Sequence, residues 1–267
     1  MNIFDQLTKW FNTDKTKYDL GIALGGGGAR GFAHLGVLKA LEEKGIVPDI
    51  CAGVSAGAVA GAFWAAEKDI DETFNLLKSK KILNYSKVLW PKRGLMNLSG
   101  LKRDIENNIP FENIEDLPRP FFIGVSNLSN GCAEYIKEGK LSTYILASSS
   151  IPVVFEPVKV DNHYYVDGGL FDNLPVSPLK ALCKKVIAVN ISPIKATKDI
   201  GSLIKISIRT FQLSIAANTF HSKEEADVLI EPQALASYDL LDTAHAQQVF
   251  DLGYEEVSKL DLDLLKP

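Results

Sequence analysis

GIALGGGGARGFAHLGVLKALEEKG, residues 21–45, joins an apolar run to a helical pattern through four consecutive glycines, an arginine and a fifth glycine. This order predicts a buried strand at 19–24, a glycine loop, and a helix over 32–44. A run of glycines costs backbone entropy and contributes no side-chain packing. The loop therefore indicates a close approach of the backbone to a phosphate, to an oxyanion, or to itself in a tight turn.

The rest of the chain continues this alternation of short apolar runs and helical patterns. Further strands are predicted at 48–53, 120–128, 132–139, 158–169 (a hairpin turning at Asp161-Asn162), 185–192 and 226–232, and further helices at 55–67, 201–223 and 243–259. Alternating strands and helices are typical of an α/β fold with three layers, α/β/α, around a mainly parallel central sheet. We expect residues 19–267 to form a single domain, preceded by an N-terminal amphipathic segment at 1–18.

Composition and charge narrow the class of protein. The 267 residues are 46% hydrophobic and carry a formal net charge of −4, which fits a globular chain and argues against a nucleic-acid-binding protein. The three cysteines form no C-x-x-C pair and the four histidines have no metal-ligand spacing, so we expect no disulfide, no metal and no cofactor. We find no secretory signal pattern and no run of 18 apolar residues, and therefore expect a cytoplasmic chain.

Three segments each leave more than one interpretation open. Residues 76–103, here named the basic segment, hold eight Lys or Arg and no Asp or Glu, which indicates a helical excursion that either covers the sheet or docks on anionic lipid. The helical pattern at 201–223 is apolar around much of its circumference, which favours a buried helix over one that lines an acyl pocket. The segment at 1–18 packs on the domain, on a second chain or on a membrane through its apolar stripe of Ile3, Phe4, Leu7, Trp10 and Phe11.

The motif AGVSAGAV, residues 52–59, places Ser55 in G-x-S-x-G between a predicted strand and a predicted helix. A serine on such a sharp turn exposes its hydroxyl, and Gly53 and Gly57 allow the strand and the helix to approach closely. The N–H of Ala56, at the start of the helix, is then available to a developing oxyanion. The alternative is a tight turn whose serine is buried and inert.

A serine nucleophile needs a base. His221 and His245 come late enough in the chain for an α/β-hydrolase triad, but both lie in helical patterns and not in loops. Asp167 is the better candidate, since it ends a predicted strand and precedes Gly168 and Gly169, and α/β folds place reacting groups at the carboxyl edge of the sheet. The alternative is an acidic residue that starts a D-G turn.

Three motifs now stand together in order: GGGGARG (25–31), GVSAG (53–57) and DGGLFDNLPV (167–176), with SSSIPVVFEPV (148–158) before the last. Over residues 19–191 this combination resembles the patatin-like phospholipases, which are serine–aspartate dyad acyl hydrolases. The resemblance implies a three-layer fold related in architecture to the bacterial acyl-carrier-protein acyltransferases. It assigns the nucleophile to Ser55, the general base to Asp167 and the oxyanion hole to Gly26, Gly27, Gly28 and Ala56, with Arg30, Gly31, Gly53, Gly57, Gly168 and Gly169 as supporting residues.

The resemblance implies a carboxylic ester hydrolase of the phospholipase A or lysophospholipase type. Its substrates would be phospholipids, lysophospholipids or other acyl esters, with peripheral contact to an anionic membrane as a further option. Two alternatives share the motifs: an acyltransferase on the same site, and a lipid-binding protein without catalysis. A third alternative is a dinucleotide-binding module, since Gly26, Gly28 and Gly31 satisfy G-x-G-x-x-G. Asp49 follows at about the sequence spacing of the acidic residue that binds the ribose in such modules. This alternative leaves the GVSAG and DGG motifs unexplained.

Overall fold

The computed structural model describes residues 16–79, 87–88, 96–197, 200–241, 243–262 and 265. The strands are β1 (Tyr18–Leu24), β2 (Ile50–Val54), β3 (Lys87–Val88), β4 (Met96–Asn97), β5 (Phe121–Asn127), β6 (Cys132–Ile136), β7 (Val158–Val160), β8 (His163–Asp167), β9 (Cys183–Val189) and β10 (Val228–Ile230). The helices are α1 (Phe32–Glu43), α2 (Ala56–Ala65), α3 (Ile70–Lys78), α4 (Ser99–Asn108), α5 (Leu141–Ser148), α6 (Ser177–Lys180), α7 (Leu203–Glu225) and α8 (Ala246–Ser258).

Eight of these strands form one mixed sheet in the order β10-β9-β1-β2-β5-β8-β7, with β6 also paired to β5. The five strands from β10 to β5 are parallel, while β6 and β8 run antiparallel to β5 and β7 runs antiparallel to β8. The predicted three-layer fold with a mainly parallel sheet is therefore confirmed. The chain leaves β1 towards β2 and leaves β9 towards β10, so the two neighbours β1 and β9 diverge and form a topological switch point.

Strand β5 organises the antiparallel part of the sheet. On one side it pairs with β6 along Ile123 to Asn127. On its other side it pairs with β2 up to the Gly124–Val54 partners and then with β8 from the Val125–Asp167 partners onward. Strands β2 and β8 therefore lie end to end beside β5, and their carboxyl ends meet.

Both faces of the sheet are covered, as three layers require. On β1, Ile22 and Leu24 belong to the larger apolar cluster, which includes residues of α1, α2, α5 and α8, whereas Ala23 belongs to a smaller cluster with Leu179 of α6. Alternate side chains of a strand point to opposite faces, so each face of β1 is buried by a different layer.

Two of the predicted segments fall largely outside the described residues. Of the N-terminal segment at 1–18, residues 1–15 are not described. Of the basic segment, the structure describes the end of α3, the start of α4 and the two short strands β3 and β4, which pair antiparallel through Lys87–Asn97 and Val88–Met96. The remaining residues of 76–103 lie outside the described part of the chain.

Helix α7 corrects the expectation of a buried helix at 201–223. It buries Phe211 and Ile215, whereas Leu203, Leu213 and Phe220 are exposed. The pattern misled because apolar residues occur on both sides of this helix, and sequence alone does not say which side meets the domain.

Candidate active site

Ser55 is the single residue between β2 and α2, and its backbone is strained. Its φ of 53° and ψ of −118° lie where residues other than glycine rarely occur, at a cost of about 1–3 kcal/mol. The motif glycines make this turn possible, because a Cβ on Gly57 would lie 2.0 Å from the carbonyl oxygen of Leu24. Close packing of α2 on β1 therefore forces the turn that presents the Ser55 side chain.

A buried serine of α5 holds this turn in place. The Ser55 N–H donates to Ser148 Oγ at 2.8 Å, and the Ser148 hydroxyl donates to the carbonyl of Gly124 on β5 at 2.7 Å. Ser148 thus connects the turn at Ser55 to strand β5. The sequence marked Ser148 only as the first residue of SSSIPVVFEPV, and the first of three consecutive serines carries no signal of this role.

Asp167 is the last residue of β8, the second strand of the hairpin predicted at 158–169. Strand β8 runs antiparallel to β5. Its register places Asp167 beside Val125, one residue beyond the Gly124 that pairs with Val54. Asp167 therefore lies level with Ser55, because β8 runs towards β2 along β5 and ends where β2 ends.

Asp167 is almost completely buried, with 1% of its surface exposed. Its Oδ1 accepts the Gly169 N–H at 2.9 Å, while Oδ2 has no hydrogen-bond partner of normal geometry among the described residues. Burial raises the pKa of Asp167 to about 7, and the Gly169 N–H and the nearby Ser55 hydroxyl offset part of that rise. Asp167 is therefore a stronger base than an exposed aspartate.

The carbonyl groups of the glycine loop are anchored away from Ser55. His34 donates from Nε2 to the carbonyl of Gly25 at 2.7 Å, and burial lowers the pKa of His34 to about 4, so the ring is neutral near pH 7. The carbonyl of Gly26 accepts from Ser192 Oγ at 2.7 Å and from Asn173 Nδ2 at 3.3 Å. Because a trans peptide places C=O and N–H on opposite sides, this anchoring turns the following N–H, that of Gly27, away from Ser192 and Asn173.

The structure separates the predicted oxyanion donors. A Cβ built on Gly26 would lie 3.1 Å from Ser55 Cβ, so the glycine loop is next to Ser55. The Gly26 N–H, however, donates to the carbonyl of Asn173 at 3.1 Å and is not available. Among the described residues, the N–H groups of Gly27, Gly28 and Ala56 have no acceptor in the fold.

Gly28 and Arg30 fix the outer half of the loop. Gly28 has a φ of +57°, and a Cβ on it would lie 2.2 Å from the carbonyl oxygen of Leu240, so only glycine fits. Arg30 is buried and donates from Nε to the carbonyl of Tyr238 at 2.9 Å and from Nη1 to that of Pro193 at 3.1 Å. Arg30 therefore holds two neighbouring loops onto the glycine loop.

An apolar cavity of about 140 Å³ opens at Ser55. Most of its lining is apolar and comes from the glycine loop, α1, α2, α3, α4 and the segment after α5, including Phe32, Leu35, Val59, Leu77, Leu98, Leu101, Ile151, Phe155 and Leu241. Leu77 and Leu98 lie within the basic segment. Helix α7 contributes no side chain to this cavity, so the acyl-pocket option for 201–223 is not supported here.

The residues of the rival hypotheses make other contacts. His221 Nε2 lies 3.0 Å from Glu225 Oε1 on the surface of α7, and His245 is exposed immediately before α8. Asp49 accepts the N–H groups of Asp19 and Leu20 at the opposite edge of the sheet, so it cannot bind a ribose at the glycine loop. The described residues contain no group of three or more His, Cys, Asp or Glu that could hold a metal ion. Each of the described helices is too short or too polar to cross a lipid bilayer.

Comparison with known proteins gives the same family as the motifs. The family model described as patatin-like phospholipase matches residues 22–180, more than half of the chain. The Drosophila melanogaster protein "Neuropathy target esterase sws" is 32% identical over 197 residues, covering 70% of this chain and 14% of its own length. The Emericella nidulans "Lysophospholipase nte1" is 34% identical over 269 residues, covering 88% of this chain and 18% of its own length.

A solved structure supports the fold. VipD from Legionella pneumophila superposes with a TM-score of 0.53 at 16% sequence identity, over 91% of this chain and 66% of that one. The chain spans less than a fifth of the length of the two curated relatives. On the match over residues 22–180, this chain belongs to the patatin-like phospholipase family.

Proposed function

We propose that this chain is a lipid acyl hydrolase that uses Ser55 as nucleophile and Asp167 as general base. The observation that carries this proposal is the meeting of β2 and β8 end to end, which sets a strained serine level with a buried carboxylate. Oδ2 of that carboxylate has no other hydrogen-bond donor of normal geometry within the described residues. A serine and a base in this relation are the elements of nucleophilic acyl transfer.

The reaction follows from these positions. Asp167 accepts the hydroxyl proton as Ser55 Oγ attacks the ester carbonyl, and the negative charge moves to the carbonyl oxygen. The free N–H groups of Gly27 and Gly28 stabilise this oxyanion, with the Ala56 N–H at the start of α2. Asp167 then returns the proton to the leaving alcohol, and water hydrolyses the acyl-enzyme by the same steps in reverse.

The apolar cavity and the relatives together favour lipid esters as substrates. The cavity at Ser55 offers an almost wholly apolar lining to an acyl chain. The relatives carry the names neuropathy target esterase and lysophospholipase. We therefore propose lysophospholipids and phospholipids as the substrate class, with the first carbons of the acyl chain in this cavity.

The test is covalent labelling with a long-chain fluorophosphonate, followed by intact mass and peptide mapping. We expect one adduct per chain on Ser55, and none in Asp167→Asn. A folded protein that forms no adduct in the presence of lipid vesicles would contradict catalysis and favour lipid binding alone. Supplying glycerol as an acceptor distinguishes the acyltransferase alternative, because a transferase forms the new ester in preference to the free fatty acid.

We also propose peripheral contact with an anionic membrane through the basic segment. Its eight cations and its lack of acidic residues support this, as does the contribution of Leu77 and Leu98 to the cavity at Ser55. Reversing several charges within 78–93 should weaken salt-sensitive binding to phosphatidylglycerol vesicles in a sedimentation assay. Unchanged binding would exclude this segment as the docking surface, and the exposed apolar face of α7 would then be tested by Leu203→Ser and Leu213→Ser.

A further inference from the structure

A second cavity, of about 450 Å³, lies beside the glycine loop at Arg30, and Ser55 is not part of its lining. It is enclosed by the glycine loop, the segment after β9, the first half of α7 and residues 236–241. Its lining carries four cations and one carboxylate, namely Arg30, Lys195, Lys205, Arg209 and Asp239. The chain as a whole has a net charge of −4, so this cavity concentrates positive charge on an otherwise acidic protein.

The two arginines of this cavity bond only to neutral oxygens. Arg30 donates to two backbone carbonyls, and Arg209 donates to the carbonyl of Lys195 at 3.0 Å and to Gln212 Oε1 at 3.4 Å. Within the described residues neither guanidinium forms an ion pair, and Asp239 acts on Arg30 only at longer range.

Several cations elsewhere on the described surface do form ion pairs. Lys39, Arg119 and Lys180 pair with Asp71, Glu67 and Asp227, respectively. Guanidinium groups that have no carboxylate and face a common cavity are suited to an anion with several oxygens, above all a phosphate.

The position of the cavity also favours a ligand. It lies outside the carboxyl ends of β1 and β9, the two neighbouring strands at which the chain diverges, where open α/β sheets bind their ligands. Leu241 lines both this cavity and the apolar cavity at Ser55. The wall between them is fixed to the glycine loop, because the Ala29 N–H donates to the carbonyl of Leu240 at 2.7 Å.

We propose that this basic cavity binds the phosphate of a lysophospholipid headgroup, while the acyl chain occupies the apolar cavity and the ester lies at Ser55. This inference rests on the proposed hydrolase function and adds to it a selectivity for the headgroup of the substrate. A substrate would cross the Leu240–Leu241 wall, with its charged end among Arg30, Lys195 and Arg209. The chain then selects esters that carry a phosphate over uncharged esters of the same acyl chain.

The experiment compares two substrates that differ only in the headgroup. The ratio of kcat/KM for a short-chain lysophosphatidylglycerol to kcat/KM for the matching monoacylglycerol is measured below micelle-forming concentrations. Arg209→Gln should lower this ratio about tenfold, since a hydrogen bond to a charged group is lost, and Arg209→Lys should restore part of it. Lys195→Gln gives a second variant in case Arg209→Gln is unstable.

Lys184→Gln is the matched control, because Lys184 is exposed at the amino end of β9 and pairs with Asp19. We expect the control to keep the wild-type ratio. An Arg209→Gln ratio equal to that of the control, in an enzyme that still hydrolyses both esters, overturns the headgroup proposal and leaves the hydrolase function standing.

A binding measurement tests the phosphate site independently of the hydrolase function. Ser55→Ala protein is titrated with glycerol 3-phosphate by calorimetry, with and without Arg209→Gln. Binding that depends on Arg209, together with competitive inhibition of lysophosphatidylglycerol hydrolysis, supports the headgroup site. If Ser55→Ala shows such binding and the wild-type protein hydrolyses no ester, the hydrolase function is contradicted but the phosphate site is not. Inorganic phosphate or glycerol 3-phosphate that binds without inhibiting hydrolysis would show a separate anion site and overturn our proposal.

Discussion

Strands β2 and β8 meet end to end beside β5, yet the two residues at their ends are prepared in different ways. Ser55 owes its position to backbone geometry, through a positive φ, flanking glycines and a hydrogen bond to Ser148. Asp167 owes its basicity to burial, which raises its pKa to about 7. Substitutions around Ser55 should therefore lower kcat without moving the midpoint of the pH profile. Substitutions at Asp167 should instead remove or shift the proton transfer on which the pH profile depends.

The largest effect should come from removing the proton acceptor. Asp167→Asn keeps the shape of the side chain but cannot accept the Ser55 proton, so we expect kcat to fall by about 10³–10⁴-fold. The measurement is hydrolysis of a lysophospholipid, with circular dichroism to show that the variant is folded. Hydrolysis near the wild-type rate would remove Asp167 from the mechanism.

A change on the oxyanion side should cost about 10²-fold in kcat. Gly28→Ala adds a Cβ that would lie 2.2 Å from the carbonyl of Leu240, so the loop must shift its N–H groups. The midpoint of the pH profile should stay in place, because Asp167 is untouched. Gly45→Ala is the matched control: Gly45 has a φ of +72° but no atom within 4 Å of its Cβ position, so it tests backbone strain alone. Equal loss of activity in both variants would contradict the oxyanion role.

The pH profile itself should change kcat/KM by about tenfold between roughly pH 6 and pH 8. The base acts only when ionised, and burial raises the pKa of Asp167 to about 7, so activity should rise with pH to a plateau. The measurement is kcat/KM of an uncharged ester across this range. A midpoint near the ordinary aspartate value, well below 5, would show that Asp167 is more hydrated than its burial implies.

Ser148→Ala should have a smaller effect, about fivefold in kcat/KM, with an unchanged pH midpoint. The change leaves the Ser55 N–H and the Gly124 carbonyl without their hydroxyl partner, which loosens the turn and costs about 1–3 kcal/mol of stability. Ser142→Ala is the control, since Ser142 is also a buried serine of α5 but donates to Glu106. A larger loss in the control would assign the effect to α5 and not to the turn.

The same proton links activity to stability. The pKa of Asp167 is higher in the folded state than in the unfolded chain, so its stabilising contribution is fully present below the unfolded pKa and is lost as the pH rises through about 7. Between about pH 5 and pH 8, the thermal midpoint of the wild type should therefore fall relative to that of Asp167→Asn. If the thermal midpoints of the wild type and of Asp167→Asn change in parallel with pH, then the pKa of Asp167 is not raised in the folded protein.

Much of the nucleophile's half of the site could be predicted from local sequence. The glycine loop and Ser55 each follow a parallel strand directly, so short-range patterns identify both the element and the residue. The position of Asp167 depends on the register between β5 and β8, which are separated by a helix and a hairpin, and DGG reports only that a turn follows. Ser148 and the exposed side of α7 were missed for a related reason, because a role set by tertiary contact leaves no periodic signal.

The end-to-end arrangement of β2 and β8 has a consequence for which insertions and deletions the chain tolerates. β8 is only five residues long, and adding or removing one residue within it would turn Asp167 to the other face of the sheet. The turn at Asp161–Asn162, at the far end of the same hairpin, can lengthen without moving any residue paired to β5. Length variants of this protein should therefore accumulate at the hairpin tip and be excluded from the five residues that lead to the base.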